Sequence, residues 1–262
     1  MSVMDGKNAI VTGGARGIGY AIAKRFLSEG ARVVISDIDE KAGEAACEDL
    51  SKLGDVRFVS GDVAERLDVR NLVAEALDAF GNIDVLVNNA GISHGASFLD
   101  LKESDFDRVL DVNLKGAFLC SQAVARHMVE RVEAGEDPGC IINMSSVNAV
   151  LALPEQIPYT VSKGAVAQLT RVMALSLAGY GIRVNAIGPG SIMTDMLSAV
   201  VGDREAREKI LSRTPMGRIG DAAEIAGIAV FLASNDSSYV TGQTVFADGG
   251  RLPLNYTVPV GD

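Results

Sequence analysis

The sequence predicts a single doubly wound α/β domain over residues 1–250, with a seven-stranded parallel sheet covered by helices on both faces, and a short tail over residues 251–262. Three observations predict it. Short β-branched runs alternate with longer stretches of helical periodicity, which is the pattern of βαβ units. The runs are continuously apolar rather than alternating, as strands buried on both sides are. The chain also carries 28 glycines against 7 prolines with no repeat period, a surplus that suits tight turns and close backbone approaches. The length of 262 residues has room for two domains, but no Ser/Gly-rich or Pro-rich linker divides it.

The first strand, NAIV from Asn8, runs into Thr12-Gly13-Gly14-Ala15-Arg16-Gly17-Ile18-Gly19, and a helical pattern follows. Glycines at 13, 17 and 19 permit a tight turn, admit a pyrophosphate against the backbone and let the helix pack closely. The helix N-terminus then offers free amides to the phosphates. The spacing is GxxxGxG rather than GxGxxG. The second strand, Arg32–Ser36, ends in Asp37, 18 residues after Gly19 (37 − 19). That is close to the offset at which an acid bonds the ribose hydroxyls of a dinucleotide. A carboxylate there favours NAD and repels the extra phosphate of NADP, whereas Arg16 in the glycine turn would attract it. The competing reading of Asp37 is a cap on the next helix.

Strands three to seven are read in VRFVSGDV, IDVLVNNAG, CIINMSS, IRVNAIGPG and TVFADGG. Glu130–Gly139 reads as a surface loop before the Cys140 strand. Ligands of such sheets bind at the carboxyl ends of the strands, so the residues just after each run carry the functional weight.

The net charge of −10 argues against nucleic acid and against an anionic membrane surface as partners. Cys47, Cys120 and Cys140 stand far apart with no CxxC spacing, as buried free thiols in a reducing compartment do. His94 and His127 are isolated, which predicts no metal site; His94 sits near the mouth of the predicted site. The opening MSVMDGKN has no signal-peptide pattern, and the apolar stretch Ile225–Ala233 is far short of a membrane span. A cytoplasmic location is the expectation.

From the glycine turn onward the chain resembles the short-chain dehydrogenase/reductase family over nearly its whole length. The matching pieces are TGGARGIG from Thr12, Asp62-Val63, Asn88-Asn89-Ala90-Gly91, Asn113, Ser146, Tyr159 with Lys163, and Pro189-Gly190 running to Thr194. Tyr159 and Lys163 are four apart in a helical pattern, so they share one face. A tyrosine is a poor base at its ordinary pKa of about 10, and a nearby ammonium together with an oxidised nicotinamide favours the phenolate. The resemblance implies a Rossmann-type fold with Tyr159 as general base, Ser146 on the substrate oxygen, Lys163 on the nicotinamide ribose and Asn113 supporting a proton-relay water. It further implies that Asp62 and Val63 meet adenine, that Asn89, Ala90 and Gly91 meet the adenosine side, and that Pro189, Gly190, Ile192 and Thr194 meet the nicotinamide.

The resemblance is strongest toward bacterial sugar dehydrogenases, on IRVNAIGPGSIMT, PMGRIGDAAEIAGIAVFLASNDSSYVTG and TVFADGG. It implies hydride transfer between NAD and a hydroxyl of a sugar, sugar acid or polyol. A 3-oxoacyl-carrier-protein reductase is the alternative, and a non-catalytic dinucleotide sensor a remote one. The substrate pocket is expected from Ser93–Ser97, Val147–Pro158 (with Glu155 and Gln156 as candidate hydroxyl binders) and the segment after Pro189, with Met193–Val201 as a lid. A homotetramer is implied, paired through helices containing Asp105–Arg126 and Tyr159–Leu177, with the tail on a neighbouring subunit.

Overall fold

The structure, a computed structural model, describes residues 2–194, 197 and 203–260. The strands are β1 (Asn8–Thr12), β2 (Arg32–Asp37), β3 (Val56–Ser60), β4 (Val85–Asn88), β5 (Cys140–Met144), β6 (Arg183–Pro189) and β7 (Thr244–Ala247). They form one parallel sheet in the order β3-β2-β1-β4-β5-β6-β7. The helices are α1 (Gly17–Ser28), α2 (Glu40–Leu50), α3 (Arg66–Phe80), α4 (Glu103–Leu110), α5 (Ala117–Glu133), α6 (Ile157–Leu177), α7 (Arg204–Leu211) and α8 (Ala222–Ala233). The strand order reverses between β1 and β4, and a crevice at the carboxyl ends of those two strands is where such a sheet takes its ligand.

Successive strand residues point to opposite faces, so a continuously apolar run feeds two cores at once. Ala9, Val11, Val33, Ile35, Val85 and Val87 pack under α1, α2 and α8, against Ile22, Phe26, Leu50 and Ile225. Ile10, Val34, Leu86, Ile141 and Val184 pack on the other face with Leu72, Phe80, Val124 and Met128 of α3 and α5. Each fully buried aliphatic side chain of this kind stabilises the fold by roughly 1.5–3 kcal/mol. The register that aligns the site is set here, with Ile10 opposite both Val34 and Leu86.

Several elements differ from the sequence reading. Helix α5 continues to Glu133, so only the end of Glu130–Gly139 is loop. Between α4 and α5 the backbone forms a π-helical segment, Asp111–Gly116, which periodicity does not announce. Strand β7 closes the sheet edge and is only half-buried. The apolar stretch Ile225–Ala233 lies within the partly core-facing α8, and no described helix is long and apolar enough to cross a membrane. Residues 195, 196 and 198–202, the greater part of the segment read as a lid, lie outside the described residues. The tail folds back on its own chain, where the Val258 amide donates to the Ser212 carbonyl at 2.8 Å.

Candidate functional site

The β1–α1 turn and the helix start that follows require glycine at positions 13, 17 and 19. Gly13 and Gly17 take φ of 62° and 57°, a left-handed conformation that disfavours side chains. A Cβ on Gly13 would lie 2.8 Å from Ala90 Cα, and one on Gly19 2.1 Å from the Gly13 carbonyl oxygen. The turn is therefore closed against the Asn89-Ala90-Gly91 segment, and Ile18 packs against the core. Helix α1 begins with no side-chain cap, so its first amides are left for an external acceptor. Backbone tightness and uncapped amides together fit a pyrophosphate.

Thr12, which the sequence reading did not single out, ties this turn to the end of β4. Its hydroxyl accepts from the amides of Asn89 and Ala90, each at 3.1 Å. The Asn89 side chain returns the contact, donating to the carbonyls of Thr12 and Gly13 at 3.1 and 2.9 Å. A threonine directly before the glycines was the available signal.

At the end of β2 the Asp37 carboxylate accepts from the amides of Ala15 and Asp39, each at 3.2 Å. The cap of α2 is Asp39, which accepts from Ala42, so Asp37 is free of the capping duty that competed for it. Arg16 pairs with Asp39, an ion pair open to solvent. The guanidinium that would attract a 2′-phosphate is thus shared with a carboxylate. Asp62 accepts from the Ala64 amide and from Arg108 of α4, both at 2.9 Å, and Val63 packs where a Cβ on Gly116 would meet it at 2.7 Å.

The π segment places Asn113 inside the protein. Its Oδ1 accepts from the Ile92 amide at 2.8 Å, and its Nδ2 donates to the Ile92 carbonyl at 2.9 Å and to Ser162 at 3.0 Å. A π-bulge inside a helix frequently marks a functional site. Here it pins the loop after β4 to α6. A Cβ on Gly91 would sit 3.2 Å from Asn113 Oδ1 and 3.6 Å from Lys163 Nζ, which places the adenosine-side segment beside the catalytic candidates. Thr194 joins from beyond β6, its Cγ2 being 3.4 Å from where a Cβ on Gly17 would stand. Pro189 ends β6, Gly190 lies so close to Asp248 that a Cβ would come within 2.7 Å of its Cα, and Ile192 bridges to Gly220. The fold thus gathers the separately predicted motifs along one side of the sheet.

Ser146 lies two residues beyond β5 and caps the 3-10 turn Val147–Ala149, its hydroxyl accepting from Asn148. Tyr159 sits in the first turn of α6, whose second residue is Pro158, and Lys163 follows one turn on. The Lys163 ammonium donates to the Met144 carbonyl at 2.8 Å and stands 5.5 Å from the Tyr159 ring centroid. Burial raises the Tyr159 phenol above its ordinary value, and a hydrogen bond with Ser146 offsets part of the rise. Burial brings the Lys163 ammonium down from 10.5 to about 8. In the protein by itself, desolvation therefore outweighs the help that the lysine was expected to give the phenolate. A phenol hydrogen-bonded to a serine hydroxyl, with a buried amine behind it, can take a proton from an alcohol or return one to a carbonyl.

The lysine has a thermodynamic signature. Its folded pKa lies below its unfolded value, so between about pH 8 and 10.5 the unfolded chain binds more protons and stability rises with pH across that window. Below pH 8 the full penalty applies, about 3 kcal/mol for a shift of this size. Lys163→Met is expected to be more stable than wild type at pH 7, by about 2 kcal/mol after allowing for the orphaned Met144 carbonyl. The difference is expected to vanish by pH 10, as read by urea denaturation. A variant that is less stable at both pH values would contradict this.

The remaining predicted residues are placed less centrally. His94 faces Asp105 of α4 at 3.5 Å, on the loop that runs past the site. Glu155 is exposed, and Gln156 accepts from Asn148 Nδ2 at 3.1 Å on the edge of the loop after Ser146. The Glu155 carbonyl accepts from the Ala96 amide at 3.0 Å, which joins two of the three segments expected to form the substrate pocket.

A family model described as Enoyl-(Acyl carrier protein) reductase matches residues 13–251. The 3-oxoacyl-(acyl-carrier-protein) reductase of Thermotoga maritima is 41% identical over 95% of this chain and 99% of its own length. The glucose 1-dehydrogenase of Gluconobacter oxydans is 41% identical over 94% of this chain and 91% of its own. Among solved structures, a protein of Agrobacterium tumefaciens provisionally assigned as a gluconate dehydrogenase superimposes with a TM-score of 0.91 at 38% identity, covering 97% of this chain and 100% of that one. A levodione reductase superimposes at 0.89 with 33% identity, covering 94% and 98%.

Proposed function

This chain belongs to the short-chain dehydrogenase/reductase family, and from that premise we propose that it moves hydride reversibly between NAD and a secondary or anomeric hydroxyl of a sugar, sugar acid or polyol. It is an oxidoreductase acting on CH–OH groups, and its fold binds a nicotinamide dinucleotide. In the proposed assignment Gly13, Arg16, Gly17, Ile18 and Gly19 line the phosphates. Asp37 meets the adenosine ribose, Asp62 and Val63 the adenine, and Asn89, Ala90 and Gly91 the adenosine side. Pro189, Gly190, Ile192 and Thr194 hold the nicotinamide, and Lys163 its ribose.

The oxidised nicotinamide supplies the hydride acceptor and a positive charge that favours phenolate. Tyr159 takes the proton of the substrate hydroxyl, and Ser146 donates to the oxygen as alkoxide character develops. Asn113, with both ends of its amide bonded to Ile92, holds the loop after β4 and supports the proton path.

The observation that carries the choice of NAD is the Asp37 carboxylate, free of capping and backed by two amides, next to an Arg16 already engaged by Asp39. Wild type is expected to use NAD at least tenfold more efficiently than NADP, and Asp37→Ser to narrow that ratio by about tenfold by removing a close like-charge contact. Equal kcat/KM for the two cofactors in wild type would sink the assignment. The sugar reading draws on the glucose 1-dehydrogenase relative and the gluconate dehydrogenase likeness. The 3-oxoacyl-carrier-protein reductase reading is supported by a relative of the same identity. Its cofactor would be NADPH, so the Asp37 test separates the two.

We place the protein in the cytoplasm, in keeping with three unpaired cysteines. We assemble it as a homotetramer, in keeping with the exposed Phe118 on α5 and Val161, Val172 and Leu175 on α6. The tail 251–262, with Tyr256 exposed, is assigned to a subunit contact. Light scattering reads this directly, with a mass of four chains expected and a monomer refuting it.

A further inference from the structure

Four of the described arginines are not solvent-exposed: Arg32, Arg131, Arg183 and Arg251. Three are satisfied. Arg131 pairs with Asp84 and Glu136, Arg32 bonds the Asn8 side chain, and Arg183 donates to the carbonyls of Leu232 and Ser234 and to Ser237. Arg251 has neither an ion pair nor a side-chain hydrogen bond among the described residues, and its Nε is buried with no partner. Burying one donor of a guanidinium without a partner is costly, so such an arrangement persists where it has a use.

The surroundings sharpen the point. The backbone leading to Arg251 is pressed against the segment after α7: a Cβ on Gly249 would lie 2.7 Å from Thr214 Cγ2, and one on Gly250 3.2 Å from Pro215 Cγ. That packing brings up the exposed Arg213, whose positive charge, like burial, disfavours the charge on Arg251. Asp248, whose charge favours that on Arg251, forms no ion pair with either arginine among the described residues. Its two oxygens accept from the amides of Gly250 and Leu252 at 2.9 and 2.8 Å, which hold it in the turn. Two arginines near enough to repel therefore have no ion pair among the described residues, in a chain of net charge −10.

We propose that Arg251 and Arg213 form an oxyanion-binding site, outside the dinucleotide crevice, for a carboxylate or phosphate group. The planar fork of N–H donors on a guanidinium suits the paired oxygens of such a group better than it suits a chloride ion. The anion would supply the partner that Nε lacks.

The probe is inorganic phosphate against sodium chloride at matched ionic strength, with the full chain and melting as the readout. At roughly tenfold its Kd, phosphate is expected to raise Tm by about 2–4 °C beyond chloride. Arg213→Gln, a change at an exposed position that folding tolerates, and Arg251→Gln are both expected to lose that increment; Arg70→Gln, on the exposed side of α3, is expected to keep it. Kinetics then separate the sources of the anion. A KM that rises in Arg213→Gln for a sugar acid but not for the neutral sugar assigns the site to the substrate carboxylate. Unchanged KM for both, with the phosphate response intact in wild type, assigns it to a free oxyanion. An equal response to phosphate and chloride in wild type, or a phosphate response that survives in both arginine variants, would overturn the site.

Discussion

Tyr159→Phe is expected to lower kcat by about 10²–10⁴-fold, the range that a positioned general acid–base group contributes. The loss should fall on kcat and kcat/KM together, because the hydroxyl is used as the proton leaves and not to hold the substrate. Binding of NAD, followed by quenching of NADH fluorescence or by calorimetry, should change by less than threefold. Stability near neutral pH should fall by about 1 kcal/mol, since the buried hydroxyl gives up its hydrogen bond with Ser146. Above pH 10 the contrast has a sign. The folded phenol titrates higher than an unfolded one, so wild type loses stability as pH rises beyond 10, and the phenylalanine variant is spared that loss. Turnover by the variant within threefold of wild type would remove Tyr159 from the chemistry.

Gly19→Ala is the second large effect, and it acts on the cofactor. The added Cβ would stand 2.1 Å from the Gly13 carbonyl oxygen and 2.5 Å from Asn89 Nδ2, and the first of these neighbours is backbone. Either α1 lifts away from β1 or the turn opens, and both disturb the bonds by which Asn89 holds the Thr12 and Gly13 carbonyls. Overpacking of this kind costs about 1–3 kcal/mol. NAD affinity is expected to fall by roughly 5–150-fold, which is that energy expressed as a binding ratio, together with a lower Tm. By contrast, Gly81→Ala, where a Cβ meets nothing within 4 Å, should affect stability through its positive φ and leave NAD binding unchanged. Equal affinity in Gly19→Ala and wild type would mean that the turn is not the phosphate seat.

The sheet was legible because buried parallel strands are continuously apolar, and RVVISD, VLVN and CIINM announce both their length and their burial. The glycine turn, Asp37 and the Tyr159–Lys163 pair were legible for a related reason: they are residue types whose spacing reflects a local geometry. What stayed hidden was long-range. Thr12 acts through its contacts with Asn89 and Ala90, 77 and 78 residues away, and no local pattern encodes those partners. The assignment of the α2 cap to Asp39 rather than Asp37 depends on where the helix begins, the least predictable property of an element. The π segment around Asn113 is invisible to a 3.6-residue period. The rise of the Tyr159 phenol in the protein by itself stayed hidden because proximity of an ammonium is visible in a helical spacing, whereas burial of both groups is not. Arg251, too, is one more charged residue in the sequence; only packing shows that its Nε is buried without a partner.

The central claim is that this chain oxidises a sugar-class hydroxyl with NAD, and the absorbance of NADH at its near-ultraviolet band tests it most directly. Purified protein would be incubated with NAD and a panel of aldoses, sugar acids and polyols, and in parallel with NADPH and a 3-oxoacyl thioester. Turnover is expected with at least one member of the panel, at a kcat/KM above that for the thioester and lowered by about 10²–10⁴-fold in Tyr159→Phe. Efficient reduction of the thioester with NADPH and no turnover on the panel would contradict it, as would tight NAD binding without turnover on any substrate.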